Sequence, residues 1–314
     1  MTHPISRRSF GRSALLGSVA GSALLSMGGG SLSALEPFAH TKTPRLRLGL
    51  AAYSFRDHFT PGEKNPPLST PDAKPLDMFG FVDYCAEHGC DGAELTSYYF
   101  PKDLSHDYLM RLKRHAFLRG VEISGTAVGN TFTHSAGAER TKEVTAVRLW
   151  IDRAAALGAP HIRIFAGSIP KGLSAAEAKK NCIETTREVA AYAGEKGIFL
   201  GIENHGGIVA EADQLLDIVR SVDSPWVGIN LDIGNFNTQD PYADLERCAP
   251  YAVNVQFKTD VHPKGQKPHT TDLPRVVKML QQAKYQGYFT LEYESSQDPW
   301  SGVPQWLQKM RSSL

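Results

Sequence analysis

Residues 174–203 read SAAEAKKNCIETTREVAAYAGEKGIFLGIE, and this stretch holds the repeating unit of the whole chain. Ser174, with Glu177 three residues later, is a capping-box start in which each side chain serves the other's backbone amide. The run over 175–196 has helical composition, and Gly197 supplies the residue that ends it. Residues 198–203 then form a compact apolar strand that closes on an acid, Glu203. The same alternation recurs on both sides. Candidate strands fall at 46–53, 92–96, 121–128, 161–166, 198–203, 227–232, 252–258 and 288–293, each rich in β-branched or aromatic residues. Helical stretches at 76–88, 106–118 and 142–157 lie between them, with Gly89, Gly120, Gly158, Gly197 and Gly287 expected as C-terminal caps.

Eight such units within one domain predict a (β/α)8 TIM barrel, a fold of ~250 residues. A doubly wound open sheet would want a Gly-rich phosphate turn after its first strand. Ala51-Ala52-Tyr53-Ser54-Phe55 is no such turn. The longest connection, 56–74, carries Pro61, Pro66, Pro67 and Pro71 and follows the first strand on the catalytic face, where it can form a rim or lid.

The 314 residues are 41% hydrophobic and 21% charged, the composition of an ordinary globular protein. Lys plus Arg number 34 against 33 Asp plus Glu, so there is no basic excess for nucleic acid. The N-terminus runs Ser6-Arg7-Arg8-Ser9-Phe10-Gly11-Arg12 into a small-residue apolar stretch. Residues 1–33 are therefore expected to be a twin-arginine signal peptide, with the barrel over 44–314 exported to the periplasm. The apolar stretch is short for a membrane anchor, which needs ~20 residues. Its removal takes three arginines and no acids, leaving a net charge of −2. Cys85, Cys90, Cys182 and Cys248 include no Cys-x-x-Cys pair and are expected to pack as thiols, with a Cys85–Cys90 disulfide left open.

Active sites of such barrels form at the C-terminal ends of the strands. Those ends carry Glu94, Glu203, Asp232 and Glu292, and the seventh strand offers an amide oxygen at Gln256. An acid ending an apolar strand is costly to bury unless it is paired or bound to a cation. Any one of them alone is a salt-bridge partner for Lys258 or Arg163. Glu203, Asp232, Gln256 and Glu292 together make a hard-oxygen set that suits a divalent cation.

The segments Asp91-Gly92-Ala93-Glu94-Leu95, Gly201-Ile202-Glu203-Asn204-His205, Asn230-Leu231-Asp232-Ile233-Gly234-Asn235 and Phe289-Thr290-Leu291-Glu292-Tyr293-Glu294 resemble the xylose isomerase-like sugar isomerase/epimerase superfamily. The resemblance spans about Leu46 to Glu294. It implies a divalent ion, Mn²⁺ or Mg²⁺ first and Co²⁺ or Zn²⁺ next, held at Glu203, Asp232, Gln256 and Glu292. Many ketose epimerases read His-x-His where this chain reads Asn254-Val255-Gln256, so the strand resembles the hydroxypyruvate isomerase-like branch. Asn235 stands where epimerases often place a substrate-binding His.

The resemblance further implies proton transfer next to a carbonyl through a metal-bound enediolate, with Glu203 and Glu292 exchanging the proton. Lys258 neutralises developing charge or pairs with Asp232 or Glu292. Substrate contacts are expected from His205, Glu94, Asn235, Tyr53, Arg163 and Trp300, and Glu94 is read as a rim or supporting residue. His262 and His269 are read as solvated. The expected partner is a small carbohydrate, with no nucleic acid, no stable membrane anchor, and the homo-oligomers such barrels form. Two alternatives stand beside the isomerase/epimerase. One is a metal-dependent lyase acting on keto-sugars or keto-glycosides by the same enolisation. The other is a non-catalytic exported sugar-binding barrel.

Overall fold

The computed structural model describes residues 35–38, 44–60 and 75–314. The chain divides into Met1–Ser33 and Ala34–Leu314, and every described residue belongs to the second unit. The expected signal peptide and most of the 56–74 connection lie outside the described residues. The strands are β1 (Leu46–Ala51), β2 (Gly92–Thr96), β3 (Glu122–Ala127), β4 (His161–Ile164), β5 (Phe199–Glu203), β6 (Val227–Asp232), β7 (Ala252–Phe257), β8 (Asp260–Val261), β9 (His269–Thr270) and β10 (Gly287–Leu291). The helices are α1 (Met78–Glu87), α2 (His106–Arg119), α3 (Ala138–Leu157), α4 (Ala175–Glu195), α5 (Ala212–Val222), α6 (Pro241–Cys248), α7 (Leu273–Gln282) and α8 (Pro299–Arg311).

Strands β1 to β7 and β10 close a parallel barrel in the order β1-β10-β7-β6-β5-β4-β3-β2, and β8 and β9 form a small antiparallel hairpin. Each barrel strand is covered by a helix, so its residues are buried on both faces and read as near-continuous apolar runs. The TIM barrel expected from the sequence is the observed fold. Among the described residues no helix is long and apolar enough to cross a membrane.

Local chemistry places the elements. Ser174 and Glu177 form the full capping box of α4, and Asp77, Ser105, Asp240 and Asp272 each accept a backbone N–H at a helix start. Gly120 and Gly158 are left-handed C-caps at φ 71° and 83°. Gly287 is a correction to the capping expectation. It is the first residue of β10, and the positive φ nearby, 56°, belongs to Lys284. A Cβ at Gly287 would lie 2.4 Å from the Tyr285 hydroxyl oxygen, so close packing selects glycine there. All four cysteines are free and buried. Cys85 and Cys90 do touch side chain to side chain, and burial pushes the Cys85 thiol well up.

Candidate active site

The polar residues of the barrel mouth lie in two layers. The lower is a closed ring of amides around one acid. Glu94, fully buried in the middle of β2, accepts from Gln256 Nε2 at 2.6 Å and Asn254 Nδ2 at 2.7 Å. Asn254 Nδ2 also donates to Asn230 Oδ1 at 2.8 Å, and Asn230 Nδ2 donates to Gln256 Oε1 at 2.6 Å. Alternating positions on β6 and β7 point inward together, which is why Asn254 and Gln256 meet the same acid. Burial pushes the Glu94 carboxyl up to about 7 against the lowering effect of the two amide donors. His161, also inside the barrel, has its Nε2 3.8 Å from Glu94, and burial pulls its pKa down to about 4. Gly125 makes room for that ring, since a Cβ there would sit 2.0 Å from His161 Cε1.

The upper layer is acidic. Asp232 ends β6 with no exposed surface, and its Oδ1 accepts from Gly234 N at 2.8 Å. Its backbone is clamped by Asn204, whose Oδ1 accepts from Asp232 N and whose Nδ2 donates to Asp232 O, both at 2.8 Å. Asp232 Oδ2 is buried and accepts no hydrogen bond, with the Lys258 ammonium 3.3 Å away. Lys258 Nζ also lies 3.5 Å from Glu292 and 2.6 Å from Glu294. Glu292 stands one residue past β10, where its N–H donates to Phe257 O at 2.9 Å and prolongs the strand. Ser54 ties the next residue down by accepting from Tyr293 N at 2.9 Å. On β5, Glu203 Oε1 accepts from Asn235 Nδ2 at 2.8 Å, and Glu203 Oε2 is 2.9 Å from Arg163 Nε. Asn235 Oδ1 accepts from Lys258 Nζ at 3.0 Å, so Asn235 bridges the two halves of the cluster.

The charges do not balance. Glu203, Asp232, Glu292 and Glu294 face two cations, Arg163 and Lys258, leaving an excess of two negative charges. The consequence is visible in the acids. Burial pushes Asp232 up to about 7, with Lys258 opposing and Glu203 adding to the rise. Burial also holds Glu292 well above the usual carboxylate range, with Asp232 and Glu203 adding to the rise against Lys258. Lys258 goes the other way: burial favours the neutral amine, but Asp232, Glu292 and Glu294 keep it firmly protonated.

The residue at strand seven departs from the ligand set expected of it. Both ends of the Gln256 amide are engaged in the lower ring, Oε1 with Asn230 and Nε2 with Glu94. Among the described residues no three Asp, Glu, His or Cys side chains already converge as metal ligands, because Lys258 occupies the middle of the acids. The donor set nevertheless fits a hard divalent cation. It is all carboxyl oxygen, it has two more acids than cations, and it includes a buried oxygen, Asp232 Oδ2, with no hydrogen-bond donor.

The other expected contacts divide. Asn235 and Arg163 lie in the acidic cluster. Tyr53 is half-buried, and its phenol pKa is raised by burial and then by the Glu294 and Glu292 carboxylates, so it borders them. His205 is exposed, its ring 4.6 Å from that of Phe165. Glu94 lies beneath the mouth and not at its rim, because it stands two residues short of the end of β2 and its side chain turns into the barrel interior. Trp300 belongs to the packing of α8: its ring is 4.7 Å from Phe55 and its Nε1 donates to His58 at 3.2 Å. His262 and His269 are exposed, as expected. Sequence reasoning passed over Glu294, although it stands two residues beyond Glu292 on the same alternating face. It also passed over Asn204, Asn230 and Asn254, whose roles depend on cross-strand register that no local pattern displays.

A family model described as the xylose isomerase-like TIM barrel matches residues 82–311, well over half of the chain. The chain belongs to that family. One relative, the uncharacterized protein MJ1311 of Methanocaldococcus jannaschii, is 28% identical over 194 residues, covering 58% of this chain. The chain spans 64% of the length of that curated relative. Among solved structures, D-psicose 3-epimerase from Clostridium cellulolyticum H10, crystallised with D-tagatose, superposes with a TM-score of 0.67 at 14% identity, over 85% of this chain and 96% of that one. The IOLI protein with a bound zinc atom gives a TM-score of 0.66 at 15% identity, over 85% and 96%. At these identities the likeness is one of fold, and the xylose isomerase-like family match is what classifies the chain.

Proposed function

We propose that this member of the xylose isomerase-like family is a sugar isomerase or epimerase that moves a proton next to a carbonyl with the help of a divalent cation. The carrying observation is the buried cluster of strand-end acids, Glu203, Asp232 and Glu292, linked through Lys258, Asn235 and Arg163 and joined by Glu294, so that four carboxyl groups share two cations. Two of the superposed structures, an epimerase crystallised with D-tagatose and a protein with a bound zinc atom, are consistent with that reading.

Glu203, Asp232 and Glu292 would hold the cation; when bound, it supplies Lewis-acid polarisation of the substrate carbonyl. The chain's own groups do the rest. Glu203 and Glu292 lie on β5 and just beyond β10, with β6 and β7 between them in the barrel order. One carboxylate therefore takes the proton from the carbon beside the carbonyl and the other returns one. Their roles differ by environment. Burial and neighbouring acids hold Glu292 high, which suits it to carry a proton, whereas Glu203 is fixed between Arg163 and Asn235. Arg163 and Lys258 supply positive charge where negative charge develops on the enediolate oxygens. The lower ring of hydrogen bonds among Glu94, Asn230, Asn254 and Gln256 holds the floor in place. Export through the twin-arginine route belongs to the same proposal, since residues 1–33 carry its signature.

Solvent exchange tests the reading. The protein is incubated in D2O with a panel of free ketohexoses, with and without Mn²⁺, and the recovered sugars are assayed by NMR. Deuterium beside the carbonyl is expected with Mn²⁺, together with its loss in Glu292→Gln. Ketoses that stay fully protiated under all conditions while the protein remains folded would refute it.

A further inference from the structure

Away from the acids, on the β2 to β4 side of the mouth, lies a cavity of about 980 Å³. Its walls come from the segment after β2 (Tyr98, Phe100), the segment after β3 (Val128, Asn130), Phe165 after β4, and the inner face of α3. We propose that it receives the second ring of a glycoside, so that the substrate of the neighbouring carboxylates is a keto-glycoside in preference to a free monosaccharide. The proposal rests on the isomerase/epimerase reading of the carboxylate cluster and adds the substrate class.

Four observations carry it. The cavity is joined to the reacting site through one side chain. Arg163 lies 2.9 Å from Glu203 by Nε, donates from Nη1 to Val128 O at 3.1 Å, and has its Cζ 4.0 Å from the Phe165 ring centroid. Val128 and Phe165 both line the cavity, so a substrate touching Arg163 from the acid side is adjacent to it.

The walls are preformed. Asn130 clamps the Phe165 backbone twice, donating to its carbonyl at 2.7 Å and accepting from its N–H at 2.9 Å. Glu143 on α3 accepts from Thr131 N at 3.1 Å, stapling the loop after β3 to the helix.

The lining chemistry suits a sugar ring. Four aromatic residues, Tyr98, Phe100, Trp150 and Phe165, line it together with polar groups; Phe100 packs edge-on against Trp150, and Arg153 lies 4.8 Å above the Trp150 ring, so the wall a sugar meets there is the guanidinium over the indole. Apolar faces with a few directed polar groups recognise a ligand with C–H faces and hydroxyl edges. The charged lining groups are mixed in sign, Lys102 and Arg153 with Glu143, which does not mark a phosphate cradle.

The volume is also large enough to hold a further sugar ring beyond one bound at the acids. It stands at the upper end of the ~300–1,000 Å³ range of small-molecule sites.

Isothermal titration of the wild-type protein with non-ketose probes tests the cavity without relying on turnover. The probes are D-glucose, a set of α- and β-linked glucose disaccharides, and D-glucose 6-phosphate. At least one disaccharide is expected to bind ten-fold or more tightly than glucose. Arg153→Ala, on the half-buried outer turn of α3, and the conservative Trp150→Phe are each expected to cut that ratio to about two- to three-fold. Equal binding of glucose and every disaccharide overturns the proposal. So does tightest binding of glucose 6-phosphate, or a ratio unmoved by a folded Arg153→Ala. These readouts involve no ketose, so failure of deuterium exchange would strike the catalytic reading and leave the cavity's ligand class measured independently.

Discussion

Replacing Lys258 with methionine perturbs the cluster where its geometry is most specific. The ammonium lies 3.3 Å from Asp232, 3.5 Å from Glu292 and 2.6 Å from Glu294, in the position a bound cation would contest. Even with the full screening of water, a unit charge at 4 Å contributes about 1 kcal/mol, so it opposes a doubly charged ion by about 2 kcal/mol. Removing it should therefore tighten Mn²⁺ binding by about ten-fold or more, given that 1.4 kcal/mol is one decade. The same change strips the counter-ion from three carboxylates, two of them buried. Removing one partner of a buried ion pair costs about 3–5 kcal/mol, so the metal-free variant should melt on the order of 10 °C lower. Purification with Mn²⁺ present, followed by calorimetric titration and thermal scans with and without the ion, reads both effects. The variant should bind more tightly and gain more melting temperature from Mn²⁺ than the wild type does. Unchanged or weaker affinity in a folded Lys258→Met would refute the idea that ammonium and divalent ion compete for one place.

Three other substitutions separate the two layers. Glu94 has a pKa raised to about 7, above that of an unfolded Glu, so the folded state holds its proton longer and stability falls as pH rises through about 7. Glu94→Gln should flatten the fall in melting temperature between about pH 4.3 and 7 and leave one of the two amide donors unmatched, at about 1–3 kcal/mol by urea denaturation. Gly125→Ala should destabilise by about 1–3 kcal/mol in the same assay, because its methyl group meets the His161 ring. Asn235→Ala removes hydrogen bonds to Glu203 and from Lys258, each to a charged group and each contributing about 1.5–3 kcal/mol, and should lower kcat by about ten-fold or more together with a fall of several degrees in melting temperature.

The barrel was legible because its signals are local. The capping box at Ser174, the glycines after α2 and α3, and the apolar runs each belong to one short window, and β2 and β6 fall within the expected limits. Gly287 misled because a glycine between helix and strand serves close packing as readily as a cap. The acids at strand ends were legible for the same reason that makes them costly: a carboxylate closing an apolar run stands out. The side-chain directions were not. Gln256 reads as a ligand by position, yet its amide is taken by Glu94 on a strand 162 residues earlier and by Asn230 across the sheet. Trp300 sits close to Glu292 in sequence, but α8 turns it onto Phe55. The side cavity had no sequence signal, since it arises from α3 packing against loops after three different strands.

The most direct test of the central claim is a calorimetric Mn²⁺ titration of the protein, purified without added metal, beside the Glu203→Gln/Glu292→Gln double variant. One equivalent bound by the wild type and none by the folded variant is the predicted result. No specific binding by the wild type, or equal binding by both, would contradict the assignment of the strand-end carboxylates as the cation site.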